Sequence, residues 1–336
     1  MTLKFGMNIN NTLRAFYHAS INLFKKPIDV CLLPFVIICG LVLKGYRKIG
    51  SYRLPFSTFA LKRIGIFPII NHYYEPLFDD RLLHKDLSSP RFLPGIKQNT
   101  SKQLTFLRGL HFSNELLKLK WMEKKVNELD FAIPNETFGP GDADFLYQFT
   151  RKIQPKKVIE IGSGNSTKII HAALKKNYLE NRIKFSHSCI EPYEMDWLER
   201  LQGPKVIRKT IQACNLNWKK ELKAGDFLFI DSSHIIRPQG DVLVEFLEII
   251  PQLQSGVYIH IHDIFSPRDY PSIWIIDGVK FWNEQYILEA LLSCSDRFEI
   301  VAGLNFLKHS YFKELKKCCP YLEECHEPGS FYIRVR

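Results

Sequence analysis

The sequence predicts an α/β fold, in which a mainly parallel sheet is covered by helices on both faces and is preceded by a helical N-terminal arm and cap. Two observations predict the sheet. Short apolar segments alternate with helical segments from residue 156 onward, and an acid or a glycine stands at the carboxyl end of successive strands. A third observation predicts the arm, because the first 63 residues hold ten basic residues and a single acid, Asp29.

The chain has 336 residues, of which 46% are hydrophobic and 24% are charged. This composition is that of a globular protein, and it excludes wholesale disorder, collagen and a polytopic membrane protein. We divide the chain into a basic, apolar, membrane-associating arm (1–65), a cap or substrate region (66–130) and a catalytic domain (131–336). The eight cysteines include no CxxC pair, which favours a reducing compartment over a disulfide framework.

Residues 30–43 of the arm form an apolar run without a charge. As a helix, this run spans about 21 Å, which is shorter than the ~30 Å core of a membrane. Pro34 and Gly40 are expected to interrupt it, and basic residues flank it on both sides. We predict a helix in an anionic membrane surface followed by a shallow or re-entrant segment, with the protein peripheral on the inner face of the cytoplasmic membrane. A core helix packed on the catalytic domain is the alternative.

Strands and helices of the catalytic domain follow one another regularly. The predicted strands are 157–161, 187–190, 205–211, 226–230, 256–262, 297–301 and 330–335, and the predicted helices are 165–178, 240–253 and 281–293. Ligands of such sheets bind beyond the carboxyl ends of the strands. Five residues lie at or just past these ends and predict one functional edge: Glu160, Gly162, Glu191, Asp231 and Asp263.

Residues 160–167 (EIGSGNST) are predicted to form the end of a strand, a glycine-rich turn and the start of a helix. The glycines let the backbone approach a ligand, and the helix N-terminus offers free N–H groups. A nicotinamide-binding motif would have a third glycine where this chain has Thr167. The candidate ligand-binding residues are Glu160, Gly162, Ser163, Gly164, Asn165, Ser166 and Thr167. An ordinary strand–helix turn is the alternative.

Glu191 follows the next predicted strand, about 30 residues after the turn. A carboxylate at this place can accept hydrogen bonds from the 2′ and 3′ hydroxyls of a ribose. A solvated loop acid is the alternative.

At this level of detail the chain resembles the class I S-adenosylmethionine-dependent methyltransferases, and more narrowly a bacterial subgroup near methyltransferase family 24. The resemblance covers most of the chain. It is carried by 65–78 (GIFPIINHYYEPLF), 140–147 (PGDADFLY), 158–167 (VIEIGSGNST), 189–192 (CIEP), 226–242 (DFLFIDSSHIIRPQGDV), 256–271 (GVYIHIHDIFSPRDYP) and 281–291 (FWNEQYILEAL).

The resemblance implies a seven-stranded Rossmann-like sheet whose last strand, 330–335, is antiparallel. It implies S-adenosylmethionine as the methyl donor, with Glu160, Gly162 and Gly164 on its methionine and ribose side and Glu191 at the ribose. Gln212 and Ala213, followed by Cys214, would flank the adenine. Many relatives carry an acid at this adenine position, and this chain has none there.

Two segments, 231–234 (DSSH) and 260–263 (HIHD), carry the candidate catalytic residues Asp231, His234, His262 and Asp263. A hydroxyl acceptor must lose its proton to a general base or to a metal that lowers its pKa. Because side chains alternate along a strand, His260 and His262 are expected on one face and Asp263 on the other.

Asp231 and Asp263, with one imidazole, could hold Mg²⁺ or Mn²⁺. Related metal-dependent O-methyltransferases have an Asn directly after the second Asp, where this chain has Ile264. One alternative is that the aspartates cap the cofactor pocket, with His234 or His262 as the direct base. Another is that the histidines are structural.

The sequence thus predicts O-methylation of a hydroxylated small molecule or of a sugar, including a lipid-linked sugar. Residues 282–286 are expected to position the acceptor, and Tyr73, Tyr74 and Phe92 of the cap to stack on a sugar or to pack on the body. The basic charge leaves a nucleic-acid methyltransferase as an alternative, although the chain lacks an Asn/Asp-Pro-Pro-aromatic tetrad and no nucleic-acid partner is expected. The pattern is also compatible with a hydroxylase-like oxidoreductase on the same fold and with a membrane-anchored binding module.

Overall fold

A computed structural model describes residues 11–123, 125, 127–133, 135, 137–193 and 195–336, with the side chains of the first helix described from residue 25. Residues 1–10 of the predicted arm lie outside this part of the chain. The chain divides after Leu82 into two compact units, which are described separately. The boundaries predicted at residues 65 and 130 divide the arm, the cap and the catalytic domain by expected function, and they stay predictions.

The N-terminal unit contains two α-helices, α1 (Asn11–Ile49) and α2 (Pro55–Ile64). Within the unit, the hydroxyl of Tyr46 lies 2.5 Å from that of Thr58, and Arg47 pairs with Glu75. The expected interruption at Pro34 and Gly40 was wrong, because α1 continues through both residues. A proline removes one helical hydrogen bond, but its fixed φ is compatible with a helix, so a long helix can continue past it.

The C-terminal unit is a seven-stranded sheet flanked by helices. Its strands are β1 (Lys157–Ile161), β2 (Ser186–Ile190), β3 (Lys205–Ile207), β4 (Phe227–Ile230), β5 (Tyr258–Ile261), β6 (Phe298–Gly303) and β7 (Phe331–Val335). Its α-helices are α3 (Thr100–Arg108), α4 (Ser113–Lys118), α5 (Asp142–Ile153), α6 (Asn165–Asn181), α7 (Trp218–Glu221), α8 (Asp241–Val244), α9 (Glu284–Cys294), α10 (Leu304–Ser310) and α11 (Phe312–Cys318).

The strand order is β3-β2-β1-β4-β5-β7-β6. Strands β1 to β5 are parallel, whereas β7 is antiparallel to both of its neighbours. The expected fold, including its antiparallel last strand, is therefore confirmed. The order of strands reverses between β1 and β4, and ligands of open α/β sheets bind at the carboxyl ends beside such a reversal.

Two apolar cores fill the layers above and below the sheet. Phe227 and Phe229 of β4 point into one core, while Leu228 and Ile230 point into the other, and all four side chains are fully buried. A strand covered on both faces has apolar residues throughout, which explains why its segment FLFI shows no polar alternation. These two layers fix the strand ends at which the site lies.

Candidate active site

The carboxyl ends of β2, β1, β4 and β5 meet in one row. Ile161 pairs with Ile190 on one side and with Ile230 on the other, and Ile230 pairs with Ile261. The residues that follow each strand therefore lie beside one another, in the order Glu191, Gly162, Asp231 and His262.

A cavity of about 690 Å³ lies over this row, within the size range of small-molecule sites. Eleven predicted site residues line it: Gly162, Ser163, Gly164, Asn165, Ser166, Glu191, Gln212, Asp231, His234, His262 and Asp263. The glycine turn and the catalytic candidates therefore share one cavity. Glu160, Thr167 and Ala213 are outside the lining, and so is the exposed Phe92 of the cap.

The two glycines of the turn have different roles. Gly162 has a φ of 77°, and a Cβ atom added there would lie 1.7 Å from the carbonyl oxygen of Asp231, so only glycine fits. A Cβ atom on Gly164 would instead make an ordinary contact, 3.4 Å from the flexible side chain of Met195. The fold therefore requires glycine at 162. At 164 the fold would accept a larger residue, and glycine leaves the cavity side of the turn open to a ligand.

Glu191 reaches from the end of β2 to the turn. Its carboxylate accepts hydrogen bonds from the backbone N–H groups of Ser163, at 3.2 Å, and Tyr193, at 2.9 Å. These bonds fix the carboxylate at the cavity wall.

Glu160 was expected on the cofactor side, but its side chain is fully buried beneath the turn. Its carboxylate accepts hydrogen bonds from the hydroxyls of Ser166 (2.9 Å) and Thr167 (3.2 Å), and it lies 2.5 Å from Nε2 of His187 and 3.4 Å from Sγ of Cys189. We call these five residues the Glu160 cluster. Glu160 is inside β1 rather than past its end, so its side chain stands perpendicular to the sheet, in the layer covered by α6.

The predicted adenine side is only partly brought to the cavity. Thr210, Ile211 and Gln212 line it, and the amide of Gln212 donates to the carbonyl of Gln239 at 3.2 Å. Ala213 is exposed and lies outside the lining, because the chain makes a 3₁₀ turn over Ile211–Ala213 instead of continuing β3 to residue 211 as predicted.

The catalytic candidates converge on one imidazole. Nε2 of His234 lies 3.4 Å from Oδ1 of Asp231 and 3.5 Å from Oδ2 of Asp263, while its Nδ1 lies 2.8 Å from Oε2 of Glu284. We call these four residues the Asp231 cluster. Glu284 was missed from the sequence as a site residue, although it stands in the segment expected to position the acceptor.

The charges of the Asp231 cluster reinforce one another. Burial opposes a charge on His234, but the hydrogen bonds to Asp231 and Glu284 outweigh it and raise the pKa of His234 well above its usual value. The partial burial of Asp231 is likewise outweighed by the charges of His262 and His234, which lower its pKa to about 2. Each ring nitrogen of His234 therefore faces a carboxylate, which disfavours His234 as the direct base.

Asp263 does not point away from His262 as expected. Strand β5 ends at Ile261, and Asp263 has a φ of 55°, so strand alternation no longer sets its direction. Its Oδ1 lies 3.6 Å from Nε2 of His262. His234 has a similar φ of 60°, and such backbone conformations are strained for residues other than glycine.

The other histidine of the segment has a structural environment. His260 is fully buried, stacks on Phe229 at 4.3 Å between ring centroids, and bonds to the hydroxyl of Ser330 at 3.0 Å. His262 stacks on Phe138 at 4.7 Å but reaches the cavity lining. Burial opposes its charge, yet the carboxylates of Asp263, Asp231 and Asp142 raise its pKa.

The donor set of the Asp231 cluster also fits a divalent cation. One oxygen each of Asp231 and Asp263 and one nitrogen of His234 lie within 4.8 Å of one another. Because Nδ1 of His234 is bonded to Glu284, its Nε2 faces the two aspartates, as in metal sites whose histidine is oriented by a second carboxylate. These residues would hold Mg²⁺ or Mn²⁺ through two carboxylates, which is the chemistry expected from the sequence.

Several lining residues were not singled out from the sequence. They are Thr137, Phe138, Thr210, Ile211, Arg237, Asp241, Trp274 and Lys280, together with others around the turn. Trp282 also lines the cavity, as expected of the segment that it begins. Arg237 lies within a run quoted for the family resemblance, but Trp274 and Lys280 fall between two such runs, where no motif marked them.

The geometry agrees with a comparison against family models, in which residues 159–264 match a methyltransferase domain of family 24. The matched segment covers about a third of the chain and runs from β1 to just past β5, so it includes the turn, Glu191, Asp231 and Asp263. Together with the strand order, it defines a class I methyltransferase domain. The resemblance seen in the sequence is confirmed over these residues, which match a methyltransferase domain.

Solved structures with a similar chain trace have low sequence identity to this chain. An O-methyltransferase from Bacillus cereus, solved with S-adenosylhomocysteine, is 14% identical with a TM-score of 0.37, over 76% of this chain and 94% of that one. The O-methyltransferase TomG from Streptomyces achromogenes, involved in tomaymycin synthesis and solved with S-adenosylmethionine, is 14% identical with a TM-score of 0.38, over 66% and 96%. Scores this low carry no information about the acceptor of this chain. No curated protein matches it significantly.

Proposed function

We propose that this methyltransferase transfers the methyl group of S-adenosylmethionine to a hydroxyl of a small molecule, and that the acceptor is a sugar or a lipid-linked sugar. One observation carries the proposal. The row of strand ends brings the glycine turn and Glu191 into the same cavity as the aspartates of the Asp231 cluster. Carboxylates that face a cavity accept hydrogen bonds from hydroxyl groups, whereas an amine that is already protonated offers no lone pair for attack.

The bound cofactor supplies a methyl group activated by a sulfonium. The chain's residues hold the acceptor oxygen in line with that methyl, which can be worth roughly 7–11 kcal/mol. The oxygen–carbon bond forms as the sulfur–carbon bond breaks, and the hydroxyl proton passes to Asp263, because the charges of His262 and His234 lower the pKa of Asp231 and so weaken it as a base. His234 lies between the two aspartates, fixes their positions and is itself fixed by Glu284.

Binding and transfer are tested separately. Calorimetry of the full chain in detergent should show S-adenosylhomocysteine binding at micromolar affinity. Labelled S-adenosylmethionine should then transfer its label to members of a panel of sugars and phenols, and not to their O-methylated counterparts. Absence of both heat and thermal shift with S-adenosylhomocysteine would contradict the cofactor assignment. Label found only on amines would contradict the hydroxyl acceptor.

A chelator decides between the two chemistries that the Asp231 cluster fits. If activity is lost in chelator and restored by Mg²⁺, a metal held by Asp231 and Asp263 lowers the pKa of the hydroxyl. Full activity in chelator leaves Asp263 as the direct acceptor of the proton.

We also propose that α1 anchors the protein to a membrane. Its residues 25–49 form a helix long and apolar enough to cross one by length and composition. Its apolar side chains are exposed on every side, for example Val30 (68%), Phe35 (67%) and Val42 (66%). A helix that is apolar all round fits a membrane interior better than a membrane surface. Basic residues on both sides of the run would bind anionic headgroups.

Vesicles test this anchor. The full chain should float with anionic vesicles, and it should stay with them at alkaline pH if α1 spans the bilayer, but leave if α1 lies on the surface. Replacing Val36 by Glu should weaken insertion by roughly 2–3 kcal/mol. Val36→Leu is the matched control. Flotation that is equal for the two variants would contradict membrane insertion of this helix.

A further inference from the structure

One wall of the cavity carries two cations. It is formed by residues 234–237 and 280–283, which are bonded to each other, since the backbone N–H of Asn283 donates to the carbonyl of His234 (2.9 Å) and its side-chain oxygen accepts from the N–H of Ile236 (2.6 Å). Arg237 and Lys280 stand on these segments and line the cavity. Among the described residues, no carboxylate lies within 4.0 Å of either cation.

Two indole rings hold the ammonium group of Lys280. Its Nζ lies 3.9 Å from the ring centroid of Trp282 and 4.7 Å from that of Trp274, and its backbone N–H donates to the carbonyl of Trp274 at 2.9 Å. Aromatic faces attract a cation without neutralising it, so Lys280 keeps a full charge in a fixed place. Trp282 also contacts His234, at 4.4 Å between ring centroids. The fixed cation is therefore one ring away from the Asp231 cluster.

The cavity thus has two chemically different sides. The strand ends carry Asp231 and Asp263, which accept hydrogen bonds from hydroxyls, while the wall carries Arg237 and Lys280, which have only donors. A neutral sugar would offer no negative charge to the exposed Arg237 or to Lys280. A phosphate group offers up to two negative charges and several acceptor oxygens, which suit a lysine as a point charge and an arginine as a planar fork.

We propose that the methyl acceptor carries a phosphate group, which Lys280 and Arg237 bind while a hydroxyl of the same molecule faces the Asp231 cluster. This inference rests on the proposed function and narrows its acceptor to phosphorylated hydroxyl compounds, such as a sugar phosphate. The phosphate can be free or part of a polyprenyl lipid, and the experiment separates these two sources.

Tryptophan emission of the full chain in detergent, saturated with S-adenosylhomocysteine, is titrated at constant ionic strength. The probes are inorganic phosphate, glucose 1-phosphate, glucose and undecaprenyl phosphate. A saturable change is expected with the phosphates and not with glucose, and it should be mostly lost in Trp282→Phe. Tighter binding of glucose 1-phosphate indicates a free sugar phosphate, and tighter binding of undecaprenyl phosphate indicates a lipid-linked one.

Lys280→Met and Arg237→Met should each weaken phosphate binding at least tenfold, with S-adenosylhomocysteine affinity within twofold of the native value. Lys313→Met, which removes the same charge from an exposed position on α11, should change neither. Unchanged phosphate binding in both cavity variants overturns the inference. Weaker S-adenosylhomocysteine binding in Lys280→Met also overturns it, since the cation would then serve the cofactor. Failure of the proposed function is seen separately, as native protein that binds phosphate but never transfers a methyl group.

Discussion

The Glu160 cluster and the Asp231 cluster have the same chemistry at neighbouring strand ends but opposite access to solvent. Each pairs carboxylate with imidazole. Glu160 and His187 are fully or almost fully buried, and four side chains contact the two oxygens of the carboxylate. The side chain of Asp231 is 31% exposed at the cavity, and both Asp231 and Asp263 line it.

The difference follows from where each acid stands along its strand, since Glu160 pairs with Phe229, two residues before Asp231. Glu160 is the fourth residue of β1, so the pleat of the strand turns it into the layer between sheet and helix. Asp231 comes directly after β4, where its side chain reaches the cavity. A carboxylate that is already saturated with donors stabilises the turn, whereas one that faces a cavity can bind a ligand.

The largest expected effect is a loss of turnover when a carboxylate of the Asp231 cluster is replaced. Asp231→Asn and Asp263→Asn should each lower turnover about 100-fold or more. A neutral amide at 263 cannot take the hydroxyl proton, and an amide at 231 no longer offers a charged acceptor to His234 and the hydroxyl. Affinity for S-adenosylhomocysteine should stay within threefold, because neither side chain belongs to the turn. Steady-state kinetics and calorimetry on the same preparations measure the two quantities. Full turnover in both variants would show that the wrong carboxylates have been assigned to the acceptor.

The same isosteric change in the Glu160 cluster should act on stability instead. Glu160→Gln replaces a carboxylate surrounded by donors with an amide that accepts at only one atom. The free energy of unfolding should fall by about 2–3 kcal/mol, as for hydrogen bonds to buried charged groups. Denaturant unfolding measures this loss. Turnover per folded molecule should change much less than in Asp231→Asn, and an equal loss of turnover with intact stability would mean that the two clusters do not differ as described.

Glu191 lies between these extremes, because it is bonded to the turn and also lines the cavity. Glu191→Ala should weaken S-adenosylhomocysteine binding by roughly 1.5–3 kcal/mol through lost charge-assisted hydrogen bonds. Calorimetry gives the change in affinity, and thermal unfolding of the unliganded protein serves as its control. Gly164→Ala is the companion variant, since its methyl group fits the protein and would crowd only a ligand. If both variants bind S-adenosylhomocysteine as tightly as the native protein, the ligand does not bind at this side of the cavity.

Sequence pattern was sufficient for the sheet, for the turn and for the convergence of Asp231, His234 and Asp263, because each depends on where a strand ends. It was insufficient for Glu160, since an acid inside a strand and an acid past its end look alike in sequence. It was also insufficient for Asp263, whose direction depends on a left-handed backbone conformation that a periodic pattern does not contain. Trp274 and Lys280 fall between the runs that carry the resemblance, so only the tertiary fold could bring them to the site.

The smallest expected effect distinguishes the two clusters by the sign of their response to pH. His171 is buried and stacks on His187 of the Glu160 cluster at 5.8 Å between ring centroids. Burial, with a smaller contribution from His187, lowers the pKa of His171 to about 4. The unfolded chain binds this proton near pH 6.5, so the contribution of His171 to stability is present above pH 6.5 and is lost as pH falls towards 4. The raised pKa of His234 gives the opposite sign, with stability present below pH 6.5 and lost as pH rises through the folded pKa.

Between pH 7 and 5.5 the His171 contribution amounts to roughly 1 kcal/mol of unfolding free energy. His171→Gln should remove that part of the acid-side loss, and His111→Gln, at an exposed histidine, is its matched control. Denaturant midpoints of the three proteins at both pH values measure the difference. If native protein and His171→Gln lose stability equally on acidification, His171 is accessible to protons, and the layer around the Glu160 cluster is not closed. In that case only the burial of Glu160 and the exposure of Asp231 would still distinguish the two clusters.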